Sequence, residues 1–268
     1  MLPYPNIDPV AISVGTLKVH WYGLMYVIGI ALAWFLAKRK TQREALPWTP
    51  AQVEDLIFYA AMGLVIGGRL GYIFFYNFST FVADPMVIFR VWEGGMAFHG
   101  GLLGGLTGVW LFGKLQKIPF FMLTDFLAAY VPIGLFTGRI GNFINGELWG
   151  KPTDVPWAMV FPNGGPEPRH PSQLYEAVLE GMVLMLAIHL LGRLNPPRMA
   201  LTALFILLYG VFRFIVEFVR LPDAHIGYLA FDWLTMGQVL SMPMILLGAF
   251  MLLLAYRNNS PSVSHESP

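Results

Sequence analysis

The stretch "LTDFLAAYVPIGLFT", residues 123–137, is followed directly by "GRIGNFINGELWG", residues 138–150. The first stretch has the apolar composition of a membrane-spanning helix. The second brings a guanidinium group, two carboxamides and a carboxylate into one short run. These groups belong to Arg139, Asn142, Asn145 and Glu147. Since ionisable groups at membrane depth are costly unless they face a cavity or a partner, this junction predicts a membrane protein with a polar site at the end of a span.

The composition of the whole chain indicates a membrane protein as well. Of its 268 residues, 56% are hydrophobic and only 12% are charged, whereas soluble domains carry about 25% charged residues. The apolar residues come in long blocks, and the mean hydropathy is +0.58. The net charge of +1 gives no bulk attraction for nucleic acid, and the absence of cysteine excludes disulfides, thiolate metal ligands and a cysteine nucleophile.

About seven stretches are long and apolar enough to span a bilayer, which needs roughly 20 residues. These predicted spans cover about residues 20–37, 52–76, 97–113, 120–138, 171–191, 199–219 and 236–256. Basic residues follow the first, third, fifth and seventh spans, for example Lys38, Lys114, Arg193 and Arg257. The positive-inside rule puts these loops in the cytoplasm. The predicted fold class is an all-α polytopic membrane protein with its N-terminus outside and its C-terminus in the cytoplasm.

The same pattern predicts a single transmembrane domain over residues 1–258, with its longer loops on the outer side. Residues 77–96, approximately, form an interfacial arm, and residues 139–170, rich in proline and glycine, form a small irregular head. The polar segment 259–268 is predicted to be a disordered cytoplasmic tail.

Arg69 lies inside the predicted second span, where Gly63, Gly67 and Gly71 form a stripe of small residues for close helix packing. Aromatic residues continue the span beyond Arg69. This favours a buried or cavity-facing guanidinium over the alternative, an arginine that snorkels to the membrane surface.

Tyr22 and His99 lie at the predicted outer ends of the first and third spans. Tyr22 belongs to an aromatic group typical of a membrane interface, but the neighbouring Gly23 also allows close approach of a partner. His99 opens a glycine-rich helix and has no apparent local partner. A functional role and an ordinary polar role stay open for both residues.

The segment 138–150 carries the strongest local signal. Arg139 alone is compatible with capping the negative end of a helix. That interpretation leaves the carboxamides, the carboxylate and the glycines at positions 141, 146 and 150 without a role. Glycine permits left-handed backbone and exposes amide groups, so the combination is typical of an oxyanion or phosphate cradle.

Charged residues recur in the later spans. Glu176 and Glu180 are four residues apart on one face of the fifth span, where they either form a polar helix entrance or belong to a site. Tyr209, Arg213 and Glu217 share a face of the sixth span by the same spacing. The alternative for Arg213 is a purely structural pair with Glu217.

Together these groups predict an anionic ligand with an apolar body, such as an anionic phospholipid. Its phosphate would meet the arginines, and its tails would lie between spans. The chain lacks HExxH, GxSxG and Walker motifs, so no metal or nucleotide cofactor is predicted.

Several segments resemble those of one family. "GRIGNFINGELWG" is similar to the signature of the prolipoprotein diacylglyceryl transferases of bacterial inner membranes. "HWYGLMY", "FHGG", "RHPSQLYE" and "YGVFRFIVEFVR" also resemble segments of that family, in order over nearly the whole chain. The resemblance implies an enzyme that transfers the diacylglyceryl group of phosphatidylglycerol to the lipobox cysteine thiol of an exported prolipoprotein. The implied products are a thioether and glycerol phosphate, and the implied active site faces the periplasm.

Carried over by motif, the resemblance implies a set of essential residues: Tyr22, His99, Arg139, Asn142, Glu147, Gly150, Tyr209 and Arg213. Gly150 follows from the resemblance only. The predicted catalytic residues are His99, as base for the thiol, with Tyr22 and the two arginines that bind the phosphate. The predicted lipid-binding set is Arg139, Asn142, Asn145, Glu147, Gly150, Tyr209, Arg213 and Arg69. Within it, Asn142, Asn145 and Glu147, together with Tyr22, hold the headgroup glycerol or orient the arginines.

A rival prediction is a binding or transport protein such as an anionic-lipid flippase. It explains buried arginines and glycine-rich helices but not a dedicated head on the outer side. A flippase also needs polar groups that lead to the cytoplasmic leaflet, where the inner halves of the fourth and sixth spans show little besides Asp125.

Overall fold

The computed structural model describes residues 2–15, 17–44, 46–90, 94–222 and 227–258, and most of these are helical. The helices are α1 (Trp21–Arg43), α2 (Pro50–Tyr76), α3 (Phe78–Ala83), α4 (Phe98–Gln116), α5 (Phe120–Ala128), α6 (Val131–Ile144), α7 (Ser172–Glu176), α8 (Leu184–Gly192), α9 (Ala200–Val216) and α10 (Met236–Asn258). A 3₁₀ helix covers Pro85–Phe89, and a π-helical segment, Ala177–Val183, joins α7 to α8 in one continuous helix. The predicted tail and residues 91–93 of the predicted arm lie outside the described residues.

Four helices of the described chain are long and apolar enough to cross a membrane, namely α1, α2, the continuous helix Ser172–Gly192 and α10. Helices α5 and α6 make a fifth span if they are taken together across a bend of 46°. The break covers residues 129–130, directly before α6, whose first turn contains Pro132. Proline lacks the N–H that would continue the hydrogen bonds of α5. The chain is therefore a multi-pass membrane protein, as predicted. Of the remaining predicted spans, α4 is diluted by glycine and α9 is a shorter apolar helix.

Two short antiparallel hairpins depart from the predicted all-α fold. β1 (Val10–Val14) pairs with β2 (Leu17–His20), and β3 (Tyr228–Ala230) pairs with β4 (Leu234–Thr235). Valine and isoleucine favour strands in the first hairpin, and Gly15 has the left-handed φ of 61° that its turn requires. His20 consequently ends a strand, and the first span begins one residue later. The fold is mostly helical with little sheet.

The chain divides into two compact units, one made of Met1–Leu36 with Asp125–Pro268 and the other of Ala37–Thr124. In the second unit α2 packs against α4 with glycine on both sides. A Cβ at Gly63 or Gly67 of α2 would overlap backbone atoms of Gly104 or Gly100 of α4. The predicted stripe of small residues is thus confirmed, and it lets the two helix backbones approach closely.

In the first unit α6 packs against the π-helical segment. A Cβ at Gly181 would overlap the Phe136 side chain, so this close approach requires glycine. Leu184 and Ile188 are buried with Ala128 in a core to which α9 also contributes. Because α6, the π-helical segment and α9 pack together, polar residues on their facing sides lie next to one another. Short π-helical segments are uncommon and are frequent at functional sites.

Candidate active site

Arg139 lies inside α6 and not, as predicted, at the mouth of a span. The helix continues to Ile144, about one and a half turns further. The Arg139 Nη1 atom lies 3.2 Å from Glu176 Oε2, and its Nη2 atom lies 3.3 Å from Glu180 Oε2. Both carboxylates belong to the helix that packs against α6. Arg139 is therefore paired across two helices and is more than a cap for a helix end.

Arg213 and Arg220 bind the same carboxylate. Arg213 Nη1 donates to Glu176 Oε1 at 2.6 Å, and Arg220 Nη1 donates to that oxygen at 2.9 Å. Arg213 Nη2 also lies 2.9 Å from Glu217 Oε2. Arg213 and Glu217, which the sequence allowed as a purely structural pair, therefore belong to a larger ionic cluster. The arginine–glutamate cluster consists of Arg139, Arg213, Arg220, Glu176, Glu180 and Glu217.

Within this cluster the carboxylates are buried and two arginines reach the surface. The side chains of Glu176 and Glu180 have no exposed surface, whereas those of Arg139 and Arg213 keep 18% of theirs. There are as many carboxylates as guanidinium groups, so the formal charges cancel. Buried ion pairs add little net stability because desolvation opposes the attraction, but their hydrogen bonds fix side-chain geometry. A guanidinium has five N–H donors, and so the glutamates leave Arg139 and Arg213 with donors for a ligand.

Three buried acceptor atoms of the cluster and of the turn after α6 with the helix start that wraps around it have no donor in the described part of the chain. They are Glu180 Oε1, Asn145 Oδ1 and Gln173 Oε1. The other carboxylate oxygen of Glu180 faces Arg139. Buried acceptors in proteins are normally satisfied, so these oxygens are suited to hydroxyl donors of a ligand or to water.

The turn after α6 is organised around Glu147. Its Oε1 accepts hydrogen bonds from Asn142 Nδ2 at 2.9 Å and from Asn145 Nδ2 at 3.3 Å. Gly146 has a left-handed φ of 62°. The left-handed backbone that the sequence predicted for the glycines of this motif is therefore found at Gly146 and not at the other two.

Gly141 and Gly150 serve close packing. Gly141 is helical, and a Cβ there would lie 3.1 Å from the Tyr22 ring of α1. At Gly150 a Cβ would lie 2.5 Å from Val219 O and 2.7 Å from His170 Cβ, and the Gly150 N–H donates to His170 O at 2.9 Å. The requirement for glycine at position 150 was not visible in the residues themselves, because the crowding comes from segments distant in sequence.

The start of the continuous helix wraps around this turn. Ser172 Oγ donates to Leu148 O at 2.9 Å, and Gln173 Nε2 donates to Glu147 O at 2.6 Å. Sequence reasoning did not give Ser172, Gln173 or Arg220 a role in the site. The available signal was their spacing, because Ser172 and Gln173 precede Glu176 by one helical turn and Arg220 follows Glu217 by three residues.

Two predicted tyrosines also lie in the first unit. Tyr22 OH lies 3.0 Å from Tyr26 OH, and Tyr22 is close enough to Glu147 and Arg139 for their charges to interact with its hydroxyl group. Tyr209 of α9 is within electrostatic reach of Glu180 and Arg139. The structure thus brings together the predicted residues of α1, α6, the turn after α6 and α9.

The other two predicted site residues, Arg69 and His99, belong to the second unit. Arg69 is buried in α2 and donates hydrogen bonds to backbone carbonyl groups. His99 is the second residue of α4 and is exposed, with its ring 5.6 Å from that of Phe98.

Apolar spans and a buried ionic cluster with free donors define a multi-pass membrane protein with an internal polar site. The family described as prolipoprotein diacylglyceryl transferase has a sequence model that matches residues 9–254. Relatives named phosphatidylglycerol–prolipoprotein diacylglyceryl transferase include one from Methylococcus capsulatus, which is 67% identical over 97% of this chain and 100% of its own length. Another from Pseudomonas aeruginosa is 59% identical, and one from Pseudomonas fluorescens is 57% identical, each over 97% of this chain and 98% of its own length. The chain belongs to the prolipoprotein diacylglyceryl transferase family, as the resemblance of its motifs predicted.

Proposed function

We propose that this chain transfers the diacylglyceryl group of phosphatidylglycerol to the lipobox cysteine of exported prolipoproteins, the first step of lipoprotein maturation. Relatives over nearly the full chain carry the name of this transferase. The observation that carries the proposal is the pair of Arg139 and Arg213. These are two partly exposed guanidinium groups on different helices, held by one buried carboxylate, Glu176.

The reaction exchanges one bond at a glyceryl carbon. The cysteine sulfur forms a bond to that carbon, and the bond from the carbon to the phosphate oxygen breaks. The products are a thioether and glycerol phosphate. A free thiol has a pKa of about 8.5, so a base must accept its proton before or during the attack. His99 is the proposed base, because its imidazole is exposed at the start of α4 and histidine is the side chain that most often serves as a general base.

Arg139 and Arg213 stabilise the leaving group. The phosphodiester carries one negative charge, and a second develops on it as the carbon–oxygen bond breaks. Charge-assisted N–H donors gain strength as that charge grows, which lowers the barrier. Since the glutamates of the cluster already balance the guanidinium charges, the phosphate is bound by directed N–H donors rather than by excess positive charge.

The remaining site residues hold the headgroup and set the geometry of the arginines. Glycerol hydroxyls of the lipid are donors, and the buried oxygens Glu180 Oε1 and Asn145 Oδ1 are acceptors without partners in the described chain. Asn142, Asn145 and Glu147 form one hydrogen-bonded group beside them. Tyr22 and Tyr209 close the site near Arg139, and Gly150 permits the close packing of its rim.

The membrane arrangement that we propose has about seven passes in the bacterial inner membrane, with α4 and α9 crossing as well as the longer spans. The N-terminus and the active site face the periplasm, and the C-terminus is cytoplasmic. Residues 1–258 act as one catalytic domain, with residues 77–96 as a periplasmic arm, the head after α6, and residues 259–268 as a cytoplasmic tail.

The test is an assay with purified protein, phosphatidylglycerol and a lipobox peptide. Thioether formation on the peptide is expected without added metal or nucleotide, and a peptide with serine in place of the cysteine should be inert because its hydroxyl is a weaker nucleophile. His99→Gln should lower turnover while lipid binding persists. Loss of activity with EDTA that a divalent ion restores would argue against the mechanism, and transbilayer movement of lipid without thioether would favour a flippase.

A further inference from the structure

Arg69 is buried in α2, with 4% of its surface exposed, and its guanidinium is surrounded by backbone carbonyl groups. Nε donates to Ile88 O, Nη1 donates to Gly94 O and Gly95 O, and Nη2 donates to Val87 O and Arg90 O. A guanidinium has five N–H donors, so each of them is matched to a carbonyl oxygen. Unlike Arg139, Arg69 has no donor left for a lipid phosphate.

The carbonyl groups that Arg69 binds come from two segments. One is the end of the 3₁₀ helix Pro85–Phe89 with the following Arg90, where Val87 O also accepts a hydrogen bond from Arg90 N. The other is a turn in which Gly94 has a φ of 81° and Gly95 a φ of 78°. Two consecutive residues in this region require glycine. A lysine could not replace Arg69, because its three donors sit on one compact ammonium and cannot span both segments.

The glycine turn is fastened to α2 at further points. A Cβ at Gly95 would overlap the Tyr72 ring, and the Arg69 guanidinium carbon lies 5.9 Å from the centroid of the same ring. The Ala97 N–H donates to Gly68 O at 2.9 Å. Helix α4 begins at the next residue, so these contacts fix where α4 starts.

His99 depends on this anchoring for its position. It is the second residue of α4, and its imidazole makes no hydrogen bond to any residue in the described ranges. A catalytic histidine is commonly oriented by a hydrogen bond to its second ring nitrogen. Here no such bond is found in those ranges, so where the imidazole can reach depends on where the backbone of α4 begins.

We infer that Arg69 is a positioning residue for His99, in place of the lipid-binding role that its sequence position predicted. The guanidinium holds the glycine turn against α2 and so fixes the N-terminal turn of α4. The inference rests on the proposed function, in which His99 is the base for the thiol.

A first experiment tests the anchoring without reference to activity. Because the chain has no cysteine, single-cysteine variants report local accessibility without background. Ala97→Cys places a thiol in the fastened segment, and Asp154→Cys places one in the head as a control. Arg69→Lys should raise the rate of maleimide labelling at position 97 and leave that at position 154 unchanged. Gly95→Ala keeps Arg69 but disturbs the turn, and it should have the same effect. Unchanged labelling at position 97 in both backgrounds would overturn the inference, whatever the activity.

A second experiment asks whether the effect reaches His99. Arg69→Lys should lower kcat by up to about 10²-fold, the loss that a displacement of about 1 Å in a reacting group can cause. The KM for phosphatidylglycerol should stay close to that of the wild type. The double variant Arg69→Lys/His99→Gln should have a kcat only slightly lower than that of His99→Gln alone, because the two changes act through one group. The control Arg39→Lys, at an exposed position of α1, should leave both kcat and KM unchanged.

The two experiments distinguish a failure of the positioning role of Arg69 from a failure of the proposed function. Additive losses in the double variant, or a raised KM with unchanged kcat, would overturn the positioning role and favour direct contact of Arg69 with lipid. Wild-type protein that forms no thioether would refute the proposed function, and the labelling rate at position 97 would still decide whether Arg69 anchors the turn.

Discussion

At the scale of single residues, the planar donor geometry of the two partly exposed arginines, Arg139 and Arg213, matters more than their charge. Glu176 holds both Arg139 and Arg213, so their planar donor groups have fixed directions. Lysine keeps the charge but presents one compact ammonium. Arg139→Lys and Arg213→Lys should therefore each lower kcat/KM by about 10²–10³-fold, the loss expected when one donor to a developing oxyanion is removed. Turnover with phosphatidylglycerol and a lipobox peptide measures the effect.

The double variant shows whether the two arginines share one phosphate. If they do, it should lose less than the two single losses combined. Melting behaviour in detergent checks the folding of each variant, and Arg39→Ala is the control that should keep full activity. Strictly additive losses would assign the arginines to separate groups. Wild-type turnover in Arg213→Ala would leave that residue as a structural partner of Glu217.

His170 should make the stability of the protein depend on pH. Burial and the positive charge of Lys151 lower the pKa of His170 below its ordinary value of 6.5. A group whose pKa is lower in the folded state contributes stability above its unfolded pKa, and this contribution is lost as the pH falls through the folded pKa. The melting temperature should therefore fall between about pH 7 and about pH 5, and it should fall less in His170→Gln. Equal slopes for the two proteins would mean that other groups cause the acid sensitivity.

At the scale of elements, α9 begins with a cap that another helix provides. The carboxylate of Asp125, in α5, accepts hydrogen bonds from Met199 N at 2.6 Å, Thr202 N at 2.8 Å and Thr202 Oγ1 at 2.6 Å. The first N–H groups of a helix lack partners within it, and a carboxylate there also complements the helix dipole. Asp125 was the inner polar group named in the sequence analysis as most useful to a flippase, and the start of α9 accounts for it.

Loss of the cap should lower the free energy of unfolding. Asp125→Asn keeps the size of the side chain but removes the charge and one acceptor, so it should destabilise the protein by about 1–3 kcal/mol. Thermal unfolding in detergent measures this, and Asp154→Asn, at an exposed position of the head, is the matched control. A larger loss is expected for Asp125→Leu, which leaves the N–H groups of α9 without any acceptor. An Asp125→Leu protein as stable as the wild type would contradict the cap.

Periodicity predicted those features that depend on one helix at a time. The spacing of Gly63 and Gly67 predicted the close packing of α2, and the spacing of Arg213 and Glu217 predicted that they share a face. Periodicity could not show that α6 continues beyond Arg139, because a run of polar side chains and glycines looks like a loop until its distant partners are known. The π-helical segment likewise depends on the packing of Gly181 against Phe136.

At the scale of the whole molecule, basic residues and site residues lie at opposite ends of the same helices. Helix α1 begins near Tyr22 and has Lys40 and Arg43 in its last turn. The continuous helix Ser172–Gly192 carries Glu176 in its first turns and is followed by Arg193. Because basic loops stay in the cytoplasm, this arrangement favours an active site on the periplasmic side, where an exported substrate arrives.

Thiol labelling tests this orientation and the side of the membrane on which each loop lies. In spheroplasts, a membrane-impermeant thiol reagent should label Ser79→Cys in the arm and Asp154→Cys in the head. It should label Glu44→Cys and Leu194→Cys only after permeabilisation, since both follow helices that end toward the cytoplasm. The two periplasmic positions are separated by α4 and by the bent pair of α5 and α6, so they share a side only if both segments cross the membrane or neither does. Labelling of Ser79→Cys without Asp154→Cys would mean that one of the two does not cross. An inverted pattern would put the arginine–glutamate cluster on the cytoplasmic side, and the proposed reaction on exported prolipoproteins would then be untenable.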